Sequence, residues 1–223
     1  HAAALPGVLD WLWAQAAPAL ASGAAAAARD GVAAAMALPP AAPIAACADR
    51  AAIADLVEIY HRGNATNLAL LSAILLRHEG MAPGQPLTPA PRGEMLPAPP
   101  PLPRLAALPE EIRAQILGLT AAHGLSDAAV VPSLYLHLAL WPAFLAQLPE
   151  VLAPLHADGG LARARAAAVA AAHQAAPGLI AALGPAPATP PDLPVFLGRL
   201  AVFVQEVIPG MVPVGVFLRR ALA

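Results

Sequence analysis

Three groups of polar side chains stand on otherwise apolar stretches, and these are the places where the chain has the means to do chemistry. Asp10 lies between Leu9 and Trp11; Tyr60, His61, Arg62 and Asn64 cluster at the end of an amphipathic run; Ser133, Tyr135 and His137 share the segment from Val131 to Pro142. A carboxylate buried without a partner is costly and holds its proton more tightly, which suits it to activate water. Asp10 is therefore the candidate general base, with Asn64 and Tyr135 placed to position a small carboxylate substrate. Each residue also has a plainer role. Asp10 fits a solvated helix face, His137 a hydrogen-bonded core histidine, Tyr60 and Tyr135 core aromatics with wet hydroxyls, and Asn64 a helix end.

Other chemistries have little support. The seven histidines are scattered, with no pair at the spacing of a metal site. His78-Glu79 begins like a zinc-protease motif, but Ala82 stands where the second histidine belongs. No glycine-rich loop follows a strand, and no Gly-x-Ser-x-Gly elbow surrounds any of the four serines. The single cysteine, Cys47, excludes an internal disulfide and paired-cysteine redox chemistry. No cofactor is expected.

Charge is sparse and balanced, with 12 basic and 14 acidic residues, all the basic ones arginine. Without a basic stripe, nucleic acid is not an expected partner. Mean hydropathy is +0.64, and residues 128–149 lack any formal charge over a length able to span a bilayer. Pro132, Pro142 and Pro149, with Ser133, His137 and Gln147 among them, argue for a buried helix pair instead. No other segment combines that length with that apolar density. The N-terminal His1-Ala2-Ala3-Ala4 lacks the basic region of a signal peptide, so a cytoplasmic location without membrane attachment is expected.

The elements that position these residues read as helices. Aromatic residues make up only 4% and β-branched runs are rare, so strands are poorly supported. Residues 50–61 place Ile53, Leu56, Val57 and Tyr60 at three-four spacing, with Asp49 as the cap. Gly63 and Asn64 suit a corner before a second helix over 65–78. Between Met81 and Pro109 proline dominates, which precludes a helix and predicts an extended connector. Helices resume at Pro109-Glu110-Glu111 and continue through 133–147, 161–176 and 193–207.

The chain also echoes itself. Leu9-Asp10-Trp11 running to Pro18 parallels Ser133-Leu134-Tyr135 running to Pro142, each an aromatic-bearing helix that breaks at proline. The span from Tyr60 to Arg77 parallels that from Phe203 to Arg220. The predicted fold is all-α, with helical repeats over 1–79 and 109–223 joined by a connector over 80–108. Trp11, Tyr60, Tyr135 and Phe203 are expected to face a shared centre. A pocket there would be lined by Trp11, Tyr60, Asn64, Ser133, Leu134 and Tyr135.

At these residues the chain resembles the group I, or DehI-type, DL-2-haloacid dehalogenases. Ser133-Leu134-Tyr135-Leu136 followed by Trp141-Pro142 is similar to that family's Ser-Asp-aromatic-Arg…Trp-Pro signature. Asn64-Ala65-Thr66-Asn67 before a leucine-rich run is similar to its Asn-x-x-Tyr element. The resemblance implies an all-α fold of two repeats, a homodimer, and hydrolysis of carbon–halide bonds by direct attack of activated water on short 2-haloacids. The family's aspartate position holds Leu134 and its arginine position Leu136, and Asn67 replaces its tyrosine. General-base activation is worth about 10²–10⁴-fold, so Leu134 alone should abolish that reaction. Aligning Pro18 with Pro142 sets Asp10 opposite Leu134, which makes Asp10 the candidate to supply the missing base. The alternative is a non-catalytic relative that binds a small acid or serves as a scaffold. A helical peroxidase of the AhpD type is similar in repeat architecture, but its mechanism needs the second cysteine that this chain lacks.

Overall fold

The computed structural model describes residues 7–44, 48–91, 93–124 and 130–223; Cys47 lies outside them. Helices α1 (Val8–Ser22), α2 (Ala24–Ala34), α3 (Arg50–His78), α4 (Glu110–Ala122), α5 (Ser133–Leu138), α6 (Pro142–Leu145), α7 (Leu148–His156), α8 (Gly160–Ile180), α9 (Leu193–Val202) and α10 (Ile208–Leu222) build it. The protein is all-α, with no strand among the described residues.

Two compact units share the chain, and each is assembled from three separate stretches. The first comprises His1–Met36, Asn64–Glu94 and Ala166–Pro209; the second comprises Ala37–Gly63, Met95–Arg165 and Gly210–Ala223. Their cores differ in kind. The first buries many alanines, among them Ala24, Ala25, Ala28, Ala65, Ala69 and Ala73. Its part of α8 presents Ala168, Ala172 and Ala176 at four-residue spacing, each 0% exposed. The second packs larger groups: Ile53, Leu56, Ile116, Leu138, Phe144, Leu148 and Phe217 form one apolar cluster.

Several helix ends follow the sequence reading. Pro109 stands directly before α4, whose first turn carries Glu110 and Glu111. α5 ends at Leu138, and Pro142 opens α6, so the break at Trp141-Pro142 is real. Other readings need correction. α1 runs straight through Pro18, and α3 is continuous across Gly63 and Asn64. A glycine inside a helix costs only about 1 kcal/mol, which the burial of Ala65, Leu68 and Ala69 beyond it outweighs. Asp49 has a left-handed φ of 61°, and its carbonyl rather than its carboxylate accepts the Ile53 amide at 3.0 Å. Phe203, expected inward, is 41% exposed, where a π-helical turn over Phe203–Val207 shifts the register between α9 and α10.

The long apolar run is also elsewhere than expected. α5 to α7 are short pieces, whereas α9, the π turn and α10 together span Leu193–Leu222. This 30-residue stretch is long and apolar enough to cross a membrane by length and composition, and 67% of its most apolar window is buried inside the protein.

Residues 81–91 carry no helix and are fastened to the first unit at both ends. The Gly84 amide donates to the Pro177 carbonyl at 2.9 Å, and the Ala90 amide to the Gly23 carbonyl at 3.2 Å. Gly23, at φ 84°, ends α1 in a left-handed turn, and a side chain there would meet the Ala90 carbonyl. Gly184 is as tightly held. Its amide donates to the Gln15 carbonyl at 2.9 Å and its carbonyl accepts from Arg77 at 2.7 Å, while the Ala14 carbonyl fills the space of a β-carbon. Gly184→Ala should therefore lower stability by about 1–3 kcal/mol through overpacking. Gly198→Ala should raise it by about 0.5–1 kcal/mol, since no atom of the described residues lies within 4 Å of this helical glycine's missing β-carbon. Urea unfolding of the two variants side by side checks the sign of each.

Candidate functional site

The second unit gathers most of the polar residues singled out from the sequence. Proline fixes both ends of α5: Pro132 precedes it in extended conformation, and Pro142 opens the next helix. The intervening turn and a half buries Leu134, Tyr135, His137 and Leu138 and leaves Ser133 exposed. Polar atoms drawn inside in this way must find partners, because an unpaired buried group costs roughly 1–3 kcal/mol.

His137 finds two. Its Nε2 faces the Pro100 carbonyl at 2.8 Å, and its Nδ1 faces the Tyr60 hydroxyl at 2.5 Å. A carbonyl can only accept, so Nε2 carries the proton. In the neutral ring Nδ1 is then the acceptor, and Tyr60 donates to it. Burial pushes the Tyr60 phenol up to about 12, and the nearby Ser133 side chain opposes that rise. Three groups form one chain: Tyr60 hydroxyl, His137 ring, Pro100 carbonyl.

The second pair on this helix was not visible in the sequence. The Tyr135 hydroxyl, on a fully buried side chain, meets His123 Nε2, and the two rings stack with centroids 5.4 Å apart. His123 follows the last turn of α4, and His156 at the end of α7 lies 5.5 Å from it, ring to ring. The Arg165 guanidinium donates to the His123 carbonyl at 3.3 Å. Desolvation lowers the His123 imidazole to about 4, helped by the positive charges of His156 and Arg165. His156 is lowered as well, by desolvation first, against a hydrogen bond with the Ala122 backbone. Burial raises the Tyr135 phenol. His123 is thus a neutral, 97%-buried core histidine at pH 7, and its Nδ1 has no hydrogen-bond partner among the described residues. No sequence spacing signals this group, because His123, Tyr135, His156 and Arg165 come from four separate stretches.

The other predicted site residues belong to the first unit. Asp10 is exposed and Trp11 buried on the first turns of α1, and both line an open hollow of about 660 Å³. Gly7, Ala14 and the segment from Pro187 to Pro191 also line it, with no basic side chain among the described lining residues. Asn64 is half-buried in the middle of α3. Leu134 is 1% exposed within the second unit's apolar cluster. Of the seven residues expected to make one site, Asp10, Trp11 and Asn64 belong to the first unit and Tyr60, Ser133, Leu134 and Tyr135 to the second.

Among the described residues no group of three or more His, Cys, Asp or Glu is placed to hold a metal. Comparison with protein-family models and with curated proteins gives no match for this chain.

His123 makes stability depend on pH. Above the ordinary histidine value of 6.5 the folded and unfolded chains both carry it neutral, and its contribution is fully present. As pH falls from 6.5 to about 4, the unfolded chain takes up a proton that the folded one refuses, and stability is lost. The loss expected across that window is on the order of 3 kcal/mol. His123→Gln should flatten the slope, as read by urea unfolding at pH 7 and pH 4.5.

Proposed function

We propose that this chain is a divergent relative of the DL-2-haloacid dehalogenases that binds a small organic molecule and no longer hydrolyses carbon–halide bonds. Leu134 carries the reading. It occupies the position that matches the family's aspartate, its side chain cannot take a proton, and it is 1% exposed among leucines and aromatics. A water-activating base needs to reach water and the reacting carbon, and this position offers neither.

The ligand site in this proposal is the hollow beside Asp10 and Trp11. Preformed, mostly apolar hollows with one or two polar groups are the usual form of small-molecule sites. A free carboxylate would enter next to Asp10 with no basic residue among the described lining to balance it, so a ligand with an amine or hydroxyl donor fits better. Two pseudo-repeats over 1–79 and 109–223, the connector over 80–108, a homodimer and a cytoplasmic location belong to the same proposal, and rest on the resemblance and the sequence echoes.

A second reading has one observation in its favour. Asp10 and Trp11 line the same hollow, so Asp10 has the access to solvent that Leu134 lacks. On that reading Asp10 activates the water, and the chain remains a 2-haloacid dehalogenase. Halide release from each enantiomer of 2-chloropropionate separates the two. No release is expected from the unmutated chain, and release that Asp10→Asn abolishes would establish the second reading instead. Binding has its own check. Small amines should raise the melting temperature of the unmutated protein and leave Asp10→Ala unmoved, whereas an equal shift in both would remove the hollow from consideration.

A further inference from the structure

α9 and the π turn that follows it turn one face inward and leave the other uncovered. Leu193, Phe196, Leu197, Leu200 and Val204 are buried, while Val195 is 53%, Val202 51% and Phe203 41% exposed. Val195, Arg199, Val202 and Phe203 recur at helical spacing on the outer side, and all four are exposed. Large apolar groups gathered on one exposed face mark a place where another surface binds, whereas single ones need no explanation. The π turn adds weight, because such turns occur mostly at functional sites. Charge then decides what kind of surface fits. Arg199 stands three residues before Val202 and Glu206 three residues after Phe203, so opposite charges flank the apolar pair at equal spacing. A lipid surface, or any partner of one sign, would satisfy only one of them. A second α9 running antiparallel satisfies both.

We propose that two copies of this chain associate through this face, their α9 helices antiparallel about a two-fold axis between Val202 and Phe203. In a two-fold contact the same patch is used on both sides, and every pairing is made twice. Val202 then packs on Phe203 of the second copy, and Arg199 meets its Glu206. A parallel pairing would instead set arginine beside arginine and glutamate beside glutamate, which repel. Glu206 also engages its own chain, and the two oxygens of a carboxylate leave room for a further donor. No described atom lies near the missing β-carbon of Gly198, so the facing helix has room to come close there. One helix face is small beside the roughly 800 Å² per partner of a stable interface, so the association is weak and concentration-dependent. The homodimer proposed with the dehalogenase resemblance names no face. This contact rests on α9 alone, and the two can fail separately.

Sedimentation velocity of the whole chain over a concentration series reads the association. The unmutated chain should run as a monomer when dilute and shift toward a dimer as concentration rises. Val202→Asp should remove the shift, and Arg199→Glu and Glu206→Arg should each weaken association by about tenfold. An equimolar mixture of the Arg199→Glu and Glu206→Arg chains should dimerise again, since one carries two acids and the other two arginines at the facing positions. The double variant Arg199→Glu/Glu206→Arg should associate as the unmutated chain does. Circular dichroism checks that each variant keeps its helices. Arg199→Glu and Val202→Asp alter exposed side chains, so they decide the matter even where Glu206→Arg fails to fold. A chain that stays monomeric at every concentration overturns the proposal. A dimer that Val202→Asp and Arg199→Glu leave intact overturns it too, while keeping a homodimer through some other face. Monomers that bind phosphatidylglycerol vesicles, and lose that binding with Val202→Asp, would make the face a lipid-binding one instead.

Discussion

The doubly bonded ring of His137 is the interaction on which the second unit's organisation turns. At Pro99, Pro100 and Pro101 the backbone has no amide to offer a neighbour. Only the carbonyls are available there, and a carbonyl needs a donor brought to it. His137 brings one from α5, while its other nitrogen takes the Tyr60 hydroxyl from α3. A single neutral imidazole thus ties two helices and an extended segment together, and it does so only in the tautomer with its proton on Nε2. Lysine could supply donors but no acceptor, and glutamine has a different reach and shape.

How far this could be read beforehand differs from element to element. The helix break at Trp141-Pro142 and the start of α4 at Pro109 were legible because proline acts locally, through its own ring and missing amide. The continuity of α3 through Gly63 and Asn64, and of α1 through Pro18, was not, because burial along the rest of each helix outweighs a local preference. The core-histidine role of His137 was legible from its leucine flanks. The His123 group was not, since it depends on how α4, α5, α7 and α8 pack, and no sequence periodicity reports that. Asp10 was marked for its apolar neighbours, yet one face of α1 is solvated, and Asp10 stands on it.

The second unit also shows how a chain with few charges keeps its polar groups inside. Both of its tyrosines are hydrogen-bonded to histidines rather than to carboxylates. Bringing an ion into a low-dielectric core costs several kcal/mol even after relaxation, whereas neutral dipoles cost far less when their bonds are met. Formal ion pairs stay nearer the surface, where Glu58 accepts from Arg62 at 2.6 Å and from Arg219 at 3.1 Å, joining α3 to α10. That division of labour makes His123 sensitive to acid, because a group chosen for being neutral has no counter-ion waiting when it must charge.

The same economy of charge explains why mean hydropathy misleads about this chain. Alanine raises the average but contributes little to membrane insertion, where leucine, isoleucine, phenylalanine and valine dominate. In the first unit alanine serves instead to let helix backbones approach, as the 0%-exposed series Ala168, Ala172 and Ala176 on α8 illustrates. The Leu193–Leu222 run is richer in large apolar groups, yet its side chains Leu193, Phe196, Leu197, Leu200, Val204 and Ile208 are buried in the first unit and Val214, Phe217 and Leu218 in the second. An apolar surface already covered by protein gains nothing further by entering lipid, since the same area cannot be removed from water twice. Length and hydropathy therefore mark this run as a candidate span, while its burial accounts for the same residues as core.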